Sequence, residues 1–304
     1  MKNIVKFENI VAAAHRIRGH IQTTPCHYSE RLTLMAGSGT KVYMKKDNMQ
    51  HTGSYKERGS LNKLKLLTAE ERKVGVMTAS AGNHAQGLAY HAGRLGIKST
   101  IFMAHGTPNI KVSRTKFYGG NVIMAGFNYD EAFEACCRAV KDSGAVIIPP
   151  FDDEAVIAGQ GTMGLEILEQ VPNVDVIVVP IGGGGLISGI SLAAKAINPN
   201  IRIIGVEPSK IPTMALAVAN KGVIDTHEAV TTIADGINVR VVGNLTTQIC
   251  CEHVDEFVSV SDEEICRAIL FLLEGEKTVA EGAGAVCVAA LMSGKITGLE
   301  GKKV

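Results

Sequence analysis

The 304-residue chain contains no tryptophan, and aromatic residues make up only 5% of it, so its core has to be built from aliphatic side chains. Charge of one sign is also lacking: 31 lysines and arginines face 30 aspartates and glutamates, with no long single-sign run. A balanced surface offers nothing to draw a nucleic-acid backbone or an anionic membrane, which excludes both as partners. The nine histidines form no H-x-x-x-H or H-E-x-x-H spacing, excluding a catalytic zinc site of that kind. Seven cysteines (Cys26, Cys136, Cys137, Cys250, Cys251, Cys266 and Cys287) are odd in number, include two adjacent pairs and contain no C-x-x-C. They predict reduced, mostly buried thiols and a cytoplasmic location rather than disulfides or zinc. The N-terminal MKNIVKFENIVAAAHRIRG spreads its charges at helical spacing instead of carrying the apolar block of a signal peptide. No low-complexity linker or fixed-period repeat interrupts the chain.

What the chain does hold is apolar residues, at 46%, enough to bury a large core in one or two domains. The β-rich runs KVYMK, GVMTA, STIFMA, NVIMAG, AVIIPP, VDVIVVPI, IRIIGVE and EFVSV alternate with helical segments such as 130–142 and 262–273. Such alternation predicts α/β layers around largely parallel sheets. The uncharged stretch from Val176 to Ala194 has 19 residues, a membrane-crossing length, but its proline and five glycines argue for a buried strand, turn and helix.

Lys56 stands in Gln50-His51-Thr52-Gly53-Ser54-Tyr55-Lys56-Glu57-Arg58-Gly59, just after a Gly-Ser turn able to open a helix. Taken by itself it reads equally as one more solvated helix lysine, like Lys63 or Lys65. Downstream, a strand over 174–181 runs into Gly182, Gly183, Gly184 and Gly185, and a helix is predicted from Leu186 onward. Such a turn presents free backbone N–H groups and the positive end of a helix dipole, which suits a phosphate. A dinucleotide-binding turn is the rival, and strand 201–206 ending in Glu207 suits it, but neither Gly182 nor Gly183 begins a G-x-G-x-x-G/A. An amine able to condense with an aldehyde, together with a cup for one phosphate, points to pyridoxal 5'-phosphate. A third segment, Ser80-Ala81-Gly82-Asn83-His84-Ala85-Gln86-Gly87, follows a strand predicted over Val74–Met77. It offers N–H, hydroxyl and amide groups suited to a substrate carboxylate or a ring oxygen, although Asn83 reads equally as a helix cap.

Together with Thr24-Pro25, Ala158-Gly159-Gln160-Gly161-Thr162, Ala234-Asp235-Gly236 and Glu281-Gly282-Ala283-Gly284-Ala285, these segments run in order nearly end to end. In them the chain resembles the pyridoxal-phosphate enzymes of the tryptophan synthase β-like group (fold type II), most closely the short biodegradative threonine dehydratases and the serine racemases. The resemblance implies two three-layer α/β domains with largely parallel sheets. Residues 1–65 and 150–304 would form a large cofactor-binding domain, and 66–149 a small domain carrying the Asn83 loop. It implies Lys56 as the catalytic and cofactor-binding lysine, with Tyr55 packing on the cofactor and Asn83 bonding its phenolic oxygen. Gly182, Gly183, Gly184, Gly185 and Leu186 would hold the phosphate, with Gly236 nearby; Glu281 either orients the ring or merely begins a helix. Ser54, Ser80, Ala81, Gly82 and His84 are implied for the substrate carboxylate.

The activity expected from the resemblance is dehydration and deamination of L-threonine and L-serine, to 2-oxobutanoate and pyruvate, in a homodimer or homotetramer. A serine racemase and a catalytically idle amino-acid-binding protein are the alternatives. Serine racemases carry a serine directly before the Gly-Asn pair; Ala81 in that place predicts that dehydration far exceeds D-amino-acid formation. Glu207 resembles a carboxylate that helps bind a divalent cation in serine racemases. The completing aspartate falls near Thr213, so a structural or monovalent cation near Glu207 is left open. Glu57 sits about 100° around a helix from Lys56, and little catalytic effect is expected of it. In the resembling enzymes the segment matching 285–303 leads into a further strand whose hydroxyl meets the pyridine nitrogen, and the chain is expected to continue beyond Val304 into it.

Overall fold

Ile10, Ala13 and Ile17 recur at helical spacing and form the buried face of the first helix, α1 (Phe7–Ile17). Residues 5–226 and 230–304 are described in this computed structural model; the first four residues of the N-terminal segment read above lie outside them. An antiparallel ribbon follows, β1 (Cys26–Tyr28) with β2 (Tyr43–Lys45), bridged by α2 (Glu30–Ala36), whose N-cap is Ser29. Next come α3 (Lys56–Leu66) and α4 (Ala69–Val74), the latter opened by a Thr68/Glu71 capping box. The strand expected from Val74 is β3 (Val76–Ala79) instead. Val74 ends the helix, and Gly75, at φ +101°, makes the turn between them in a conformation that suits glycine.

The chain then alternates through α5 (Asn83–Arg94), β4 (Ser99–Met103), α6 (Asn109–Phe117), β5 (Asn121–Met124), α7 (Tyr129–Ser143) and β6 (Val146–Ile147). These strands make a wholly parallel sheet in the order β5-β4-β3-β6. The rest of the chain gives α8 (Glu154–Gln170), β7 (Val176–Pro180), α9 (Gly185–Ile197), β8 (Arg202–Pro208) and α10 (Thr213–Ala219). It closes with α11 (Asn244–His253), β9 (Glu256–Val260), α12 (Asp262–Glu274) and α13 (Gly282–Met292), and a second parallel sheet runs β7-β8-β9. The α/β class with parallel sheets is as expected. The ribbon β1-β2 stands apart from the two sheets; β2 falls within the run KVYMK, whereas the three-residue β1 is too short to show a period in sequence.

Alternate residues of β8 face opposite aliphatic cores, as a strand covered on both faces requires. Ile204 and Val206 pack with Val260, Ile265 and Val286, whereas Ile203 packs with Ile177, Ile187 and Met214. A third core joins Leu64 of α3 to Leu88, Ile101 and Met103. The G-x-G of α8 lets three helices meet closely: a Cβ at Gly159 would lie 2.6 Å from Gly59 Cα on α3, and one at Gly189 on α9 would lie 2.4 Å from Gly161 N. Two helix starts, those of α3 and α9, are thereby held on one support, α8. Residues 302–304 run between β2 and β7: Lys302 and Val304 carbonyls accept from Lys41 and Tyr43, and the Lys303 carbonyl accepts from Val176.

The seven thiols are free, but they are not mostly buried. Only Cys136 and Cys250 are buried, and Cys251 and Cys266 are exposed. Adjacent positions on a helix point about 100° apart, so each Cys-Cys pair turns one thiol inward, leaving Cys137 half-buried and Cys251 exposed.

Candidate active site

Gly53, at φ +79°, turns the chain into α3, and Lys56 is the first helical residue, with Tyr55 in the N-cap place. The Lys56 Nζ donates to the Pro150 carbonyl at 2.7 Å and lies 5.3 Å from the Tyr55 ring centroid. Among the described residues no carboxylate pairs with it, and burial of the amine lowers its pKa from 10.5 to about 8. Tyr55 is pushed well above its ordinary pKa, by burial first and by the Glu281 charge second, and stays a neutral phenol.

Two residues further on, Arg58 is wholly buried in a hydrogen-bonded ion network. It reaches Asp47 at 2.7 Å and Glu166 at 2.6 Å, and Lys45 binds the same Glu166 at 2.6 Å. Burial opposes the ionisation of Asp47, but the Arg58 guanidinium outweighs it and holds that carboxyl below its usual range. The network fixes α3 against α8 and the end of the ribbon, so the lysine at its start is presented from a rigid base.

From the other side, β3 ends in the Ser80–Gly82 turn and Asn83 opens α5. Gly82 occupies the N-cap place, leaving the Asn83 side chain free to donate to Glu281 Oε1 at 2.6 Å. Glu281 is the N-cap residue of α13 but its side chain does not cap; burial raises its pKa, with the Asn83 bond opposing. Lys56, Ser54, Tyr55, Asn83, Gly236 and Glu281 all line one cavity of about 510 Å³, and Leu186 reaches it from α9. Ser80, Ala81, Gly82 and His84 belong to the same turn as Asn83 but do not line that cavity. The Ser80 hydroxyl accepts from Gly82 N at 3.3 Å. His84 is buried with Nε2 2.9 Å from the Ile148 carbonyl, and burial together with the Lys56 charge lowers its pKa to about 3, so the ring stays neutral.

Gly182–Gly185 form the turn from β7 into α9 at the margin of the cavity, where Gly182 abuts Ile237, itself part of the lining. Gly184 takes φ +88°, and a Cβ on Gly183 would fall 2.2 Å from the Phe151 ring. Thr246 donates to the Gly183 carbonyl at 2.8 Å. Asp152 accepts from the N–H groups of Asn244, Leu245 and Thr246 and so caps α11. Phe151, Asp152, Thr246 and the Pro150 carbonyl are absent from the residues picked out by sequence. The run Pro149-Pro150-Phe151-Asp152-Asp153 signals a turn and a helix start, but not which distant backbone it will touch.

The cation entertained at Glu207 finds no support. Both Glu207 oxygens are occupied by backbone donors at the start of α10, Met214 N at 2.8 Å and Ala215 N at 2.9 Å. Thr213 donates its hydroxyl to Val239 O instead of facing an ion. Among the described residues no three His, Cys, Asp or Glu side chains converge as a ligand set.

Residues 17–304 match the family model described as pyridoxal-phosphate dependent enzyme. The chain is 47% identical over 301 residues to an L-threonine ammonia-lyase of Thermotoga maritima, covering 99% of this chain and 74% of that one. It is 44% identical to the catabolic L-threonine dehydratase of Escherichia coli, covering 96% and 88%. Among solved structures, maize serine racemase superposes with a TM-score of 0.94 at 36% identity, covering 98% of this chain and 91% of that one. The residues present fit pyridoxal phosphate. The cavity holds a weakly basic amine for the aldehyde, the buried Ser54 hydroxyl on its wall has no partner among the described residues, and the glycine turn opens a helix N-terminus at its margin.

Proposed function

The chain belongs to the family of pyridoxal-phosphate dependent enzymes, and from that premise we propose that it dehydrates and deaminates L-threonine, and L-serine, to 2-oxobutanoate or pyruvate and ammonia. The observation that carries this reading is the Lys56 amine, lowered to about 8 by burial in the cavity that Asn83 and Glu281 also line. Similarity to L-threonine ammonia-lyases over nearly the whole chain supports the substrate.

In this reading Lys56 attaches the cofactor, Tyr55 packs on it, and Asn83 with Glu281 and Gly236 bounds its ring. Gly182–Gly185 and Leu186 hold its phosphate, backed by Phe151 and Thr246. When bound, pyridoxal phosphate supplies an electron sink for the charge left as a substrate bond to Cα breaks. Ser54 and the backbone of Ser80, Ala81, Gly82 and His84 bind the substrate carboxylate and so aim Cα at Lys56. Once the substrate amine has taken its place on the cofactor, the freed Lys56 amine, neutral over much of the range above pH 8, would take the Cα proton. The β-hydroxyl then leaves with a proton as water, and the released enamine takes up water to give the oxo acid and ammonia.

The division into 1–65 with 150–304 and 66–149 is part of the proposal. It is supported by the β5-β4-β3-β6 sheet, formed wholly within the second segment. So are a cytoplasmic setting, supported by seven free thiols, and a homodimer or homotetramer, supported by exposed Leu34, Met35, Leu270 and Val279. Among the described residues no helix is long and apolar enough to cross a membrane.

Borohydride reduction of the loaded protein followed by peptide mapping tests the reading at its root. The label is expected on Lys56; a label on another lysine overturns the assignment. Chiral chromatography of the serine reaction separates the dehydratase from a racemase, which the likeness to maize serine racemase favours. Pyruvate is expected to exceed D-serine by far, and D-serine formed as fast as pyruvate rejects the dehydratase reading.

A further inference from the structure

Glu57 follows the proposed cofactor lysine and is 0% exposed, a burial that a carboxylate tolerates only with well-placed donors. It has two. One oxygen accepts the backbone N–H of Thr52, and the other lies 3.0 Å from Nε2 of His91, itself 1% exposed. Thr52 belongs to the loop that leads into Lys56, and His91 belongs to α5, the helix that Asn83 opens. Standing in the first turn of α3, the carboxylate also lies where the helix dipole favours a negative charge.

Two further contacts hold the loop, one from Tyr90 of α5 and one from Tyr118 at the end of α6. The Tyr90 ring lies 5.3 Å from that of His51, and Tyr118, stacked edge-on to Tyr90 at 5.6 Å, donates its hydroxyl to the His51 carbonyl at 3.1 Å. Glycine at position 87 brings the helices themselves together, since a Cβ there would lie 3.1 Å from Glu57 N and 3.2 Å from the Lys56 carbonyl carbon. A chain of buried contacts thus runs from α5 through His91 and Glu57 to Thr52, and onward along the backbone to Ser54 and Lys56.

We propose that the Glu57–His91 pair is a positioning device: it locks the loop 50–55 to α5 and thereby sets Lys56 and Ser54 in register with Asn83. The pair does not touch the reacting atoms, and the side chain of Glu57 points away from the lysine amine. Its effect is on where that amine and the Ser54 hydroxyl stand. This inference rests on the proposed role of Lys56.

The test compares variants that break the link, Glu57→Met and His91→Leu, with variants that keep a hydrogen bond at each place, Glu57→Gln and His91→Gln. The breaking variants are expected to lose about 10- to 100-fold in kcat with L-threonine, the cost of a misplaced reacting group. KM is expected to stay within about threefold, because the loss falls on the chemical step. Hydrogen exchange in the cofactor-free proteins is expected to quicken in residues 50–58 ahead of the rest of the core, and the two Gln variants to stay near wild type in every readout. An unchanged kcat in the breaking variants, or an equal loss in the Gln variants, overturns the proposal. If Glu57→Met does not fold, His91→Leu against His91→Gln decides by the same criteria. A wild-type protein that does not turn over threonine refutes the functional reading alone. The exchange pattern and the affinity for pyridoxal phosphate then judge the coupling: unaltered exchange and affinity in His91→Leu refute it.

Discussion

A partly buried lysine amine with no carboxylate partner among the described residues is costly to charge and behaves as a neutral base near working pH. For Lys56 this has a direct consequence in cofactor-free protein, because only the unprotonated amine attacks an aldehyde. The rate of covalent pyridoxal-phosphate attachment, followed by absorbance, is expected to rise with pH and level off above a midpoint at about 8. A rate still climbing toward 10.5, the ordinary lysine value, contradicts the burial of this amine. Ala81 sets a second expectation. Its methyl group neither gives nor takes a proton, and Ala81→Ser is expected to raise D-serine formation above the wild-type level in a chiral assay. At this scale the sequence was readable where a residue sits in a local motif: Lys56 after its Gly-Ser turn, Asn83 in its loop. It was silent on Pro150, whose carbonyl meets Lys56 from 94 positions away, and on His91, because such contacts exist only after folding.

Among the elements, the strand-turn-helix of β7 and α9 was legible in full, since a continuous apolar run, four glycines and a helical pattern follow one another without interruption. The end of α4 was not, because Val74 looks the same whether it closes a helix or opens a strand, and only Gly75 decides. Glu207 misled for a related reason: a carboxylate at a strand end serves a cation or a helix start equally well in sequence. Its place at α10 carries a pH signature. Burial raises its pKa to about 7, with the Met214 and Ala215 N–H bonds opposing. A carboxyl raised above its unfolded value stabilises the fold below that value and loses the contribution as pH climbs to the folded one. The window here runs from 4.5 to about 7. Glu207→Gln does not titrate, so its stability relative to wild type is expected to rise by about 1.4 kcal/mol per pH unit across that window and then hold level, measured by urea unfolding. A difference independent of pH contradicts the buried titration. The Arg58 network sets a larger expectation. Arg58→Met leaves Asp47 and Glu166 without their guanidinium and is expected to cost about 3–5 kcal/mol in the same measurement.

The whole molecule is organised so that three helix starts face one cavity region: α3 with Lys56, α5 with Asn83 and α9 after its glycines. Parallel sheets place two of these, because β3 and β7 end where α5 and α9 begin; α3 follows the antiparallel ribbon and is set by its close packing on α8. The alternation of strands and helices makes the class readable in the sequence itself. The spacing between helices was hidden, since it depends on glycine meeting glycine across 100 positions, as Gly59 and Gly159 do. Around the cavity the segment 66–149 is tied to the remainder by polar bridges, Lys111 to Asp235 and Arg240 to Asp130 at 2.9 Å, as well as by Asn83 to Glu281. The central claim is that this assembly uses Lys56 to eliminate water from an amino acid. It is tested most directly by incubating the protein, loaded with pyridoxal phosphate, with L-threonine and quantifying 2-oxobutanoate and ammonia by NMR and enzymatic assay, beside Lys56→Ala. Equal amounts of the two products from wild type and none above background from Lys56→Ala are expected; no 2-oxobutanoate from wild type, or as much from Lys56→Ala, contradicts the claim.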